Sequence, residues 1–432
     1  MLDIKLFRTN PEVILKDHEK RGRSPEIVYK VMELDERWRE TRKKADQLRA
    51  RRNAASKEIQ MLKKAKDKKN IERVKALIQE MSETKKEIEK LGEEEERLKK
   101  ERDSLLMRIP NILHESVPVG EDDKDNVPVR YWGEIKEFDF ELKPNGVLAE
   151  ALDNADFERA SKVAGTGFVY VKNELVILDL SLQYFGLKKL MEKGYVPLYP
   201  PLMLRRRPYE GVTDLADFEN VMYKIENDDL YLIATSEHAI GAMYMDEILE
   251  EGVLPLKFAG ISPCFRREVG AHGIDTRGFF RLHQFNKIEQ FVFCKPEESW
   301  DLHEEMISNA EAIFQSLEIP YRVVNVCTGD IGTVAAKKYD LEVYSPRQKK
   351  YIEAVSCSNC TSYQARRLNI RYRKKGGENE FVHTLNSTAI ATSRALVAIL
   401  ENNQREDGSV AVPKVLHSLT GFKEIVPKNV KR

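Results

Sequence analysis

Arg266, Glu268, Arg281, Lys287 and Glu289 stand among aromatic and branched residues in "FRREVGAHGIDTRGFFRLHQFNKIEQFVF" (265–293), where two strand-like runs flank a segment holding three glycines. In an extended chain successive side chains alternate between faces, so Arg281, His283, Phe285, Lys287 and Glu289 share one face while Leu282 and Ile288 point the other way. Arg266 and Glu268 form a similar pair on the preceding run, and a hairpin would lay the two rows side by side. Such a row can hold a triphosphate through forked arginine contacts, stack a purine on Phe285 and fix an ammonium or hydroxyl with Glu289. The competing reading is a set of surface ion pairs, each worth about 0–1 kcal/mol. The chain has neither a GxxxxGK[ST] loop nor a GxGxxG after a strand, so side chains must do the work if a nucleotide binds.

The elements that must carry this row differ sharply along the chain. Residues 26–105 nearly lack Gly and Pro after Pro25, and apolar residues from Val28 to Leu62, then from Ile71 to Leu105, recur mostly at steps of three or four around an interruption at "KAKDKKN" (64–70). This spacing predicts two antiparallel helices joined near residue 67, a coiled-coil arm whose helices, at about 1.5 Å per residue, are too long to lie within one compact domain. Residues 37–69 hold fourteen Lys or Arg against four Asp or Glu, whereas 70–103 hold nine against eleven. The basic bias of the first helix and tip fits nucleic acid; a merely solvated face and a dimerising coiled coil are the other readings.

Residues 108–134, rich in Pro, Asp and Asn, read as a linker. Beyond them "FVYVKNELVILDL" (168–180) reads as a hairpin with a Lys172-Asn173 turn, followed by a helix to about 193 and a strand at 195–203. Further strands are expected at 230–235, 257–268, 281–294, 321–327 and 352–358. Irregular alternation of this kind predicts an α+β fold, a mostly antiparallel sheet flanked by helices, over 109–432, with 1–108 as a separate N-terminal domain.

The 432 residues carry 71 basic and 71 acidic side chains, so affinity for nucleic acid must come from a local patch and not from overall charge. No run of about 18 apolar residues occurs and the N-terminus is mixed and charged, which predicts a cytoplasmic protein without a membrane segment. Five cysteines argue for reduced thiols. Cys357 and Cys360 form a lone CxxC; with no second pair at ligand spacing, two buried thiols are expected before zinc or redox chemistry.

The charged row resembles motif 2 of the class II aminoacyl-tRNA synthetases, and its wording is similar to the seryl-tRNA synthetase family. Residues 195–203, with Pro201, resemble motif 1, which forms the dimer interface in that class, and "HTLNSTAIATSRALVAILENNQ" (383–404) resembles motif 3. "ATSEHA" (234–239) and "EAVSCSNCTSYQARR" (353–367) resemble two further seryl-specific pieces. The HIGH-like and KMSKS-like signatures of the other synthetase class do not occur. Where the family often has a GTG-like loop after motif 1, this chain has "RRRPYEGVTDLADFEN" (205–220), which puts the lid over the site in doubt.

The resemblance implies ATP-dependent activation of L-serine and its transfer to a serine tRNA, with selenocysteine tRNA as a further candidate. It also implies a homodimer and an arm that grips tRNA by shape and phosphate. At the nucleotide it implies Arg266 on the α-phosphate, Arg281 on the far phosphates, Glu268 on the adenine amino group, backbone contacts from Leu282, and adenine stacked between Phe285 and Arg394. Arg267, Ala354 and Val355 belong to the same ATP site. Glu353 and Ser356 would ligate a divalent ion, Mg2+, bridging phosphates; residues three apart face opposite ways on a regular strand, so that pair needs a bulge. The serine site is Thr235, Ser236, Glu237, Arg266, Glu289 and Thr388, with Thr235 and Glu237 sharing a strand face. Which carboxylate takes the ammonium and which the hydroxyl stays open, as does a plain helix-capping role for Thr388. Two rivals are weaker fits: a related amino-acid:carrier-protein ligase would lack the arm, and a non-catalytic coiled-coil RNA-binding protein has no need of Arg266, Glu353 and Arg394 together.

Overall fold

The structure, a computed structural model, describes residues 1–64, 70–214, 221–268 and 278–427. The expected turn near residue 67 and most of the glycine-bearing loop after Glu268 lie outside them, as does 215–220 of the segment after motif 1. Two compact units emerge, Leu2–Ile109 and, with Met1, Pro110–Arg432.

The first unit comprises α1 (Ile4–Thr9), α2 (Pro11–Lys20) and two long helices, α3 (Glu26–Lys64) and α4 (Asn70–Leu106), which pack along each other. Their seam follows a strict seven-residue repeat. Every seventh residue from Val31 to Ile59 and from Leu34 to Leu62 in α3, and from Val74 to Arg102 and Leu77 to Leu105 in α4, is buried or half-buried. This is the spacing that keeps one stripe facing its partner in a coiled coil. Ile71, which opens the second apolar run, and Ile78 fall off the repeat and are exposed, whereas Leu77 is buried.

Near the base of the pair one carboxylate organises the helices. Asp35 is buried and receives Arg8 Nε and Nη2 at 2.7 and 2.8 Å, Arg39 Nε at 3.1 Å and Arg102 Nη1 at 2.9 Å. The Arg102 guanidinium also lies over the Trp38 ring, 4.9 Å from its centroid. Three helices are thereby tied to a single side chain, and a buried charge is tolerable because every approach to it carries a cation.

The second unit is built on an eight-stranded sheet. Its strands are β1 (Val127–Trp132), β2 (Val196–Leu198), β3 (Leu256–Phe265), β4 (Gln284–Cys294), β5 (Tyr321–Asn325), β6 (Lys337–Ser345), β7 (Lys350–Asn359) and β8 (His383–Ala391). The spatial order is β1-β5-β6-β7-β8-β4-β3-β2, antiparallel throughout except for β2 beside β3. Helices α5 (Asn173–Met191), α7 (Ser299–Ser316) and α8 (Thr392–Asn402) share one large core with Ile288 and Val292, which alternate onto that face of β4. On the opposite face Phe291 and Phe293 join Val212, Phe258 and Ile240, the last from the short helix α6 (Ser236–Gly241).

Three expectations need correction. The segment 168–180 is not a hairpin: Asn173 opens α5, whose Leu175, Leu178, Leu182 and Phe185 bury one helical stripe. The Leu175 amide at its first turn is satisfied by Asn154 Oδ1 at 2.9 Å. The adjacent branched residues Val176 and Ile177 read like a strand but are exposed on the outer side. The segment 108–134 is more than a linker, since it contains β1, and its Pro128 is tolerated because β1 is an edge strand. Finally β3 ends at Phe265 and β4 starts at Gln284, so Arg266, Glu268, Arg281 and His283 lie just beyond the paired strands.

Replacing Asp35 by Ala removes the carboxylate that Arg8, Arg39 and Arg102 share, with Asp103 remaining as a partner of Arg102 at 2.7 Å, and should destabilise the helical unit by about 1–3 kcal/mol, read as a fall in its thermal transition by circular dichroism. Burial alone would raise the Asp35 carboxyl, but Arg8 and Arg102 hold it below the usual range. The stabilisation it brings is therefore full above the unfolded-state value near 4 and fades as pH drops below it; the Asp35→Ala protein should lack this acid-dependent loss.

Candidate active site

The concave side of the sheet between β7, β8, β4 and β3 forms a cleft of about 290 Å³. Its floor is set by register. Glu289 of β4 pairs with Gly260 of β3 on one side and Thr388 of β8 on the other, so Phe285, Lys287 and Glu289 rise into the cleft while Ile288 is buried in the core beneath. Two irregularities sit beside it. The β8 ladder shifts between Thr388 and Ile390, and the β6–β7 ladder shifts opposite Ala354. The second is the bulge the Glu353–Ser356 pair requires, and both side chains line the cleft.

At the nucleotide end the cations meet aromatic faces. The Arg266 guanidinium lies 5.3 Å from the Phe285 ring centroid, and Arg394 of α8 lies 4.0 Å from the centroid of Phe280. Arg394 also donates from Nη1 to the Glu353 carbonyl. Phe280 was not anticipated; next to Phe279, a core residue, nothing in the sequence tells which of the two turns toward the cleft. Arg281 is largely exposed, 3.3 Å from Glu268, and Leu282 lines the wall. His283 leaves the row: its ring stacks on Phe168 at 5.1 Å and its Nδ1 is 2.5 Å from the Tyr223 hydroxyl.

At the other end Thr235 and Glu237 do not share a strand face. Thr235 is the residue before α6, where its Oγ1 accepts the Glu237 amide at 3.2 Å, and Glu237 is in the first helical turn. Close approach of α6 to the sheet requires Gly260, since a Cβ there would meet Ser236 Oγ and Ile240 Cδ1 at 2.6 Å. Glu237 Oε1 accepts from Gln364 at 3.1 Å, and Gln364 is itself held by Thr384 at 2.7 Å. Gln364 lies in "EAVSCSNCTSYQARR", yet without the fold nothing marks it as the partner of Glu237. His238 packs behind, bonded through Nδ1 to the Tyr209 hydroxyl at 3.0 Å, and burial pushes it down to about 3, so it is neutral.

Two carboxylates thus face one pocket. Burial first and then the Glu289 charge push Glu237 up to about 7. Burial also raises Glu289, against the pull of Lys287, whose Nζ is 2.6 Å from Glu289 Oε2. Three anticipated residues do not line the cleft. Ser236, the first residue of α6, is fully buried against Gly260 of the sheet, Val355 belongs to the opposite core, and Arg267 is fastened by its amide to the Val221 carbonyl.

A divalent ion fits the β7 wall by donor chemistry. Glu353 and Ser356 present oxygens on one side of the bulge, and Asp340, paired across the ladder with Ser356, has an Oδ1 without a hydrogen-bond partner among the described residues. Mg2+ keeps several waters and needs only one or two carboxylates when phosphates complete its shell. The CxxC thiols are different: Cys357 and Cys360 are both buried and unbonded to each other, and burial raises both.

Comparison with known proteins places these features in a family. Residues 1–113 match the model of the seryl-tRNA synthetase N-terminal domain, and 220–403 match that of the tRNA synthetase class II core domain (G, H, P, S and T). The serine–tRNA ligase of Methanospirillum hungatei is 57% identical over 99% of this chain and all of its own length. That of Thermococcus onnurineus is 53% identical over 100% of this chain and 98% of its own. Among solved structures, seryl-tRNA synthetase from Pyrococcus horikoshii complexed with ATP superposes with a TM-score of 0.94 at 51% identity, covering 99% of this chain and 100% of that one. The cytoplasmic serine–tRNA ligase of Naegleria fowleri in complex with AMP gives 0.89 at 38%, covering 99% of each.

A carboxyl whose folded value lies above its unfolded one costs stability as pH rises between the two. For Glu237 that window runs from about 4.5 to about 7. Glu237→Gln should therefore gain on the parent protein through this window, by on the order of 1–3 kcal/mol once pH exceeds it. Denaturant midpoints at acid and at mildly alkaline pH measure the difference, and equal gains at both would contradict the assignment.

Proposed function

Because the chain belongs to the seryl-tRNA synthetase family, we infer that it is a serine–tRNA ligase, joining serine to AMP from ATP and then to the 3′ end of a serine tRNA. The observation that carries this is the convergence of Arg266, Glu268, Phe285, Glu353 and Arg394 with Thr235, Glu237, Glu289 and Thr388 on one cleft. In the first step a serine carboxylate oxygen attacks the α-phosphorus in line, the bond to the β-phosphate bridge breaks, and pyrophosphate leaves. In the second, the hydroxyl of the terminal adenosine attacks the acyl carbon and AMP leaves.

The roles are those the family resemblance implies, and the shared cleft supports them. Arg266, at the join between the two halves of the cleft, neutralises charge that develops on the α-phosphate. Phe285 and Arg394 take the adenine between them, Glu268 reads its amino group, Arg281 meets the far phosphates, and Leu282 gives backbone contacts. Glu353 and Ser356 would hold Mg2+, which supplies charge neutralisation at the phosphates. Thr235 and Glu237 receive the serine ammonium, and Glu289 with Thr388 flanks the hydroxyl. A site built to pair with a hydroxyl rejects alanine because a buried acceptor would be left unpaired.

The N-terminal domain, 1–108, is the tRNA-binding part. On α3, Lys43, Lys44, Lys57, Lys63 and Lys64 are exposed and make no ion pair among the described residues, which leaves their charge for phosphates. Several α3 arginines are engaged, as Arg51 is with Glu80 at 2.6 Å. The partner at motif 1 is a second copy of the chain. Ile177, Leu180, Tyr184 and Met191 on α5, with Val196 and Tyr199 after it, present an apolar face to the outside. No helix among the described residues is long and apolar enough to cross a membrane. Free, buried cysteines support a cytoplasmic setting.

Three measurements test this reading. Serine-dependent pyrophosphate exchange should occur in the full chain and persist when residues 30–100 are removed, while charging of tRNA is lost on removal; charging that survives would sink the arm's assignment. Arg266→Ala should lower exchange by about 10²–10³-fold. Leu180→Glu with Tyr184→Glu should turn a dimer into a monomer in sedimentation.

A further inference from the structure

One buried cation in the cleft has no part in the steps above. Lys287 lies between Phe285 and Glu289 on the cleft face of β4, its side chain 6% exposed, and its register partners, Ser262 on β3 and Ala391 on β8, carry no charge. A lysine taken out of water needs a strong compensating contact, and here that contact is Glu289 Oε2 at 2.6 Å. Thr388 Oγ1 approaches the same oxygen at 3.5 Å. Both contacts fall on Oε2 and leave Oε1 as the oxygen a ligand can meet.

We propose that Lys287 is a positioning residue for amino-acid selection, holding Glu289 ionised and turned so that Oε1 accepts the substrate hydroxyl. The proposal rests on the reading of this cleft as a serine site. The groups that face Glu289 explain why a dedicated cation is needed. Glu237 on α6 is a second carboxyl whose ionised form repels a charge on Glu289, while Cys264 on β3, Cys357 on β7 and Thr388 on β8 are neutral. Arg266, beyond β3, is the other cation, and ATP draws its charge toward phosphate. Without Lys287, burial and Glu237 would both favour a protonated Glu289. A protonated carboxyl can donate as well as accept, so it no longer demands a donor hydroxyl from its ligand.

The test is serine-dependent pyrophosphate exchange by the full chain across about pH 6 to 9, comparing the parent with Lys287→Met, Lys287→Arg, Glu289→Gln and the Lys287→Met, Glu289→Gln double variant. Lys287→Met should raise KM for serine about 10–100-fold near neutrality while KM for ATP stays within about twofold. Its KM for serine should improve as pH rises, because Glu289 then ionises late, and Lys287→Arg should recover most of the loss. In the Glu289→Gln background the same change should add little, since Lys287 acts through Glu289. Equal effects in both backgrounds, or parallel losses for serine and ATP, would overturn the proposal. If Lys287→Met fails to fold, the parent still decides: the carbon-13 carboxyl resonance missing from Glu289→Gln must be that of an ionised group at neutral pH, and a protonated one overturns it. Failure of the parent to exchange pyrophosphate with serine at all would instead remove the serine reading of the cleft.

Discussion

The site depends on one strand being held in register from both sides. Gln284–Cys294 is bonded to Leu256–Phe265 along one edge and to His383–Ala391 along the other. Side chains on a strand alternate, so a slip of one residue would turn Phe285, Lys287 and Glu289 into the core and lift Ile288 into the cleft. Moving two charges from the polar cleft into the apolar core would then oppose the slip. The charged residues that line the cleft thereby penalise the wrong register, and the apolar residues between them reward the right one.

Electrostatics inside the cleft follows from keeping opposite charges within reach. Glu237 and Glu289 crowd one end and Arg266, Lys287 and Arg394 reach the same space, all of them lining it. Each carboxylate is shifted upward by burial and partly restored by its neighbours, Lys287 and then Gln364 for Glu237, and Lys287 for Glu289. The N-terminal unit applies the same rule to Asp35, where arginines from α1 and α4 converge on a single buried oxygen pair. In both places an ionised group is placed where water cannot serve it, and the fold supplies the donors.

Much of this was legible because it rests on periodicity. The row at 285–289 follows from alternation by two, and the long helices follow from near-heptad spacing. Errors arose where neighbouring types mimic another period or where ends are set by tertiary contacts. Val176 and Ile177 imitate a strand inside a helix, whereas the buried stripe at Leu175, Leu178 and Leu182 needs the sheet to reveal it. Thr235 looks like a strand residue until α6 begins one position later. Phe280 under Arg394 and Gln364 on Glu237 are contacts between segments more than a hundred residues apart, and no local pattern encodes them. The bulge at Ala354 is the reverse case, since the expectation that Glu353 and Ser356 face the same side anticipates a backbone irregularity that composition does not show.

The cleft face of the central strand does not stop at Glu289. Two residues further along the same side is Phe291, packed with Val212, Ile240 and Phe258, and Val212 also borders the cleft. Hydrophilic floor gives way to close-packed hydrocarbon within a single step of the pleat. Phe291 and Phe293 are fully buried there, and an extra carbon in that packing must displace atoms already at crystal-like density. The polar floor of the cleft therefore ends against a wall of side chains that already fill their space.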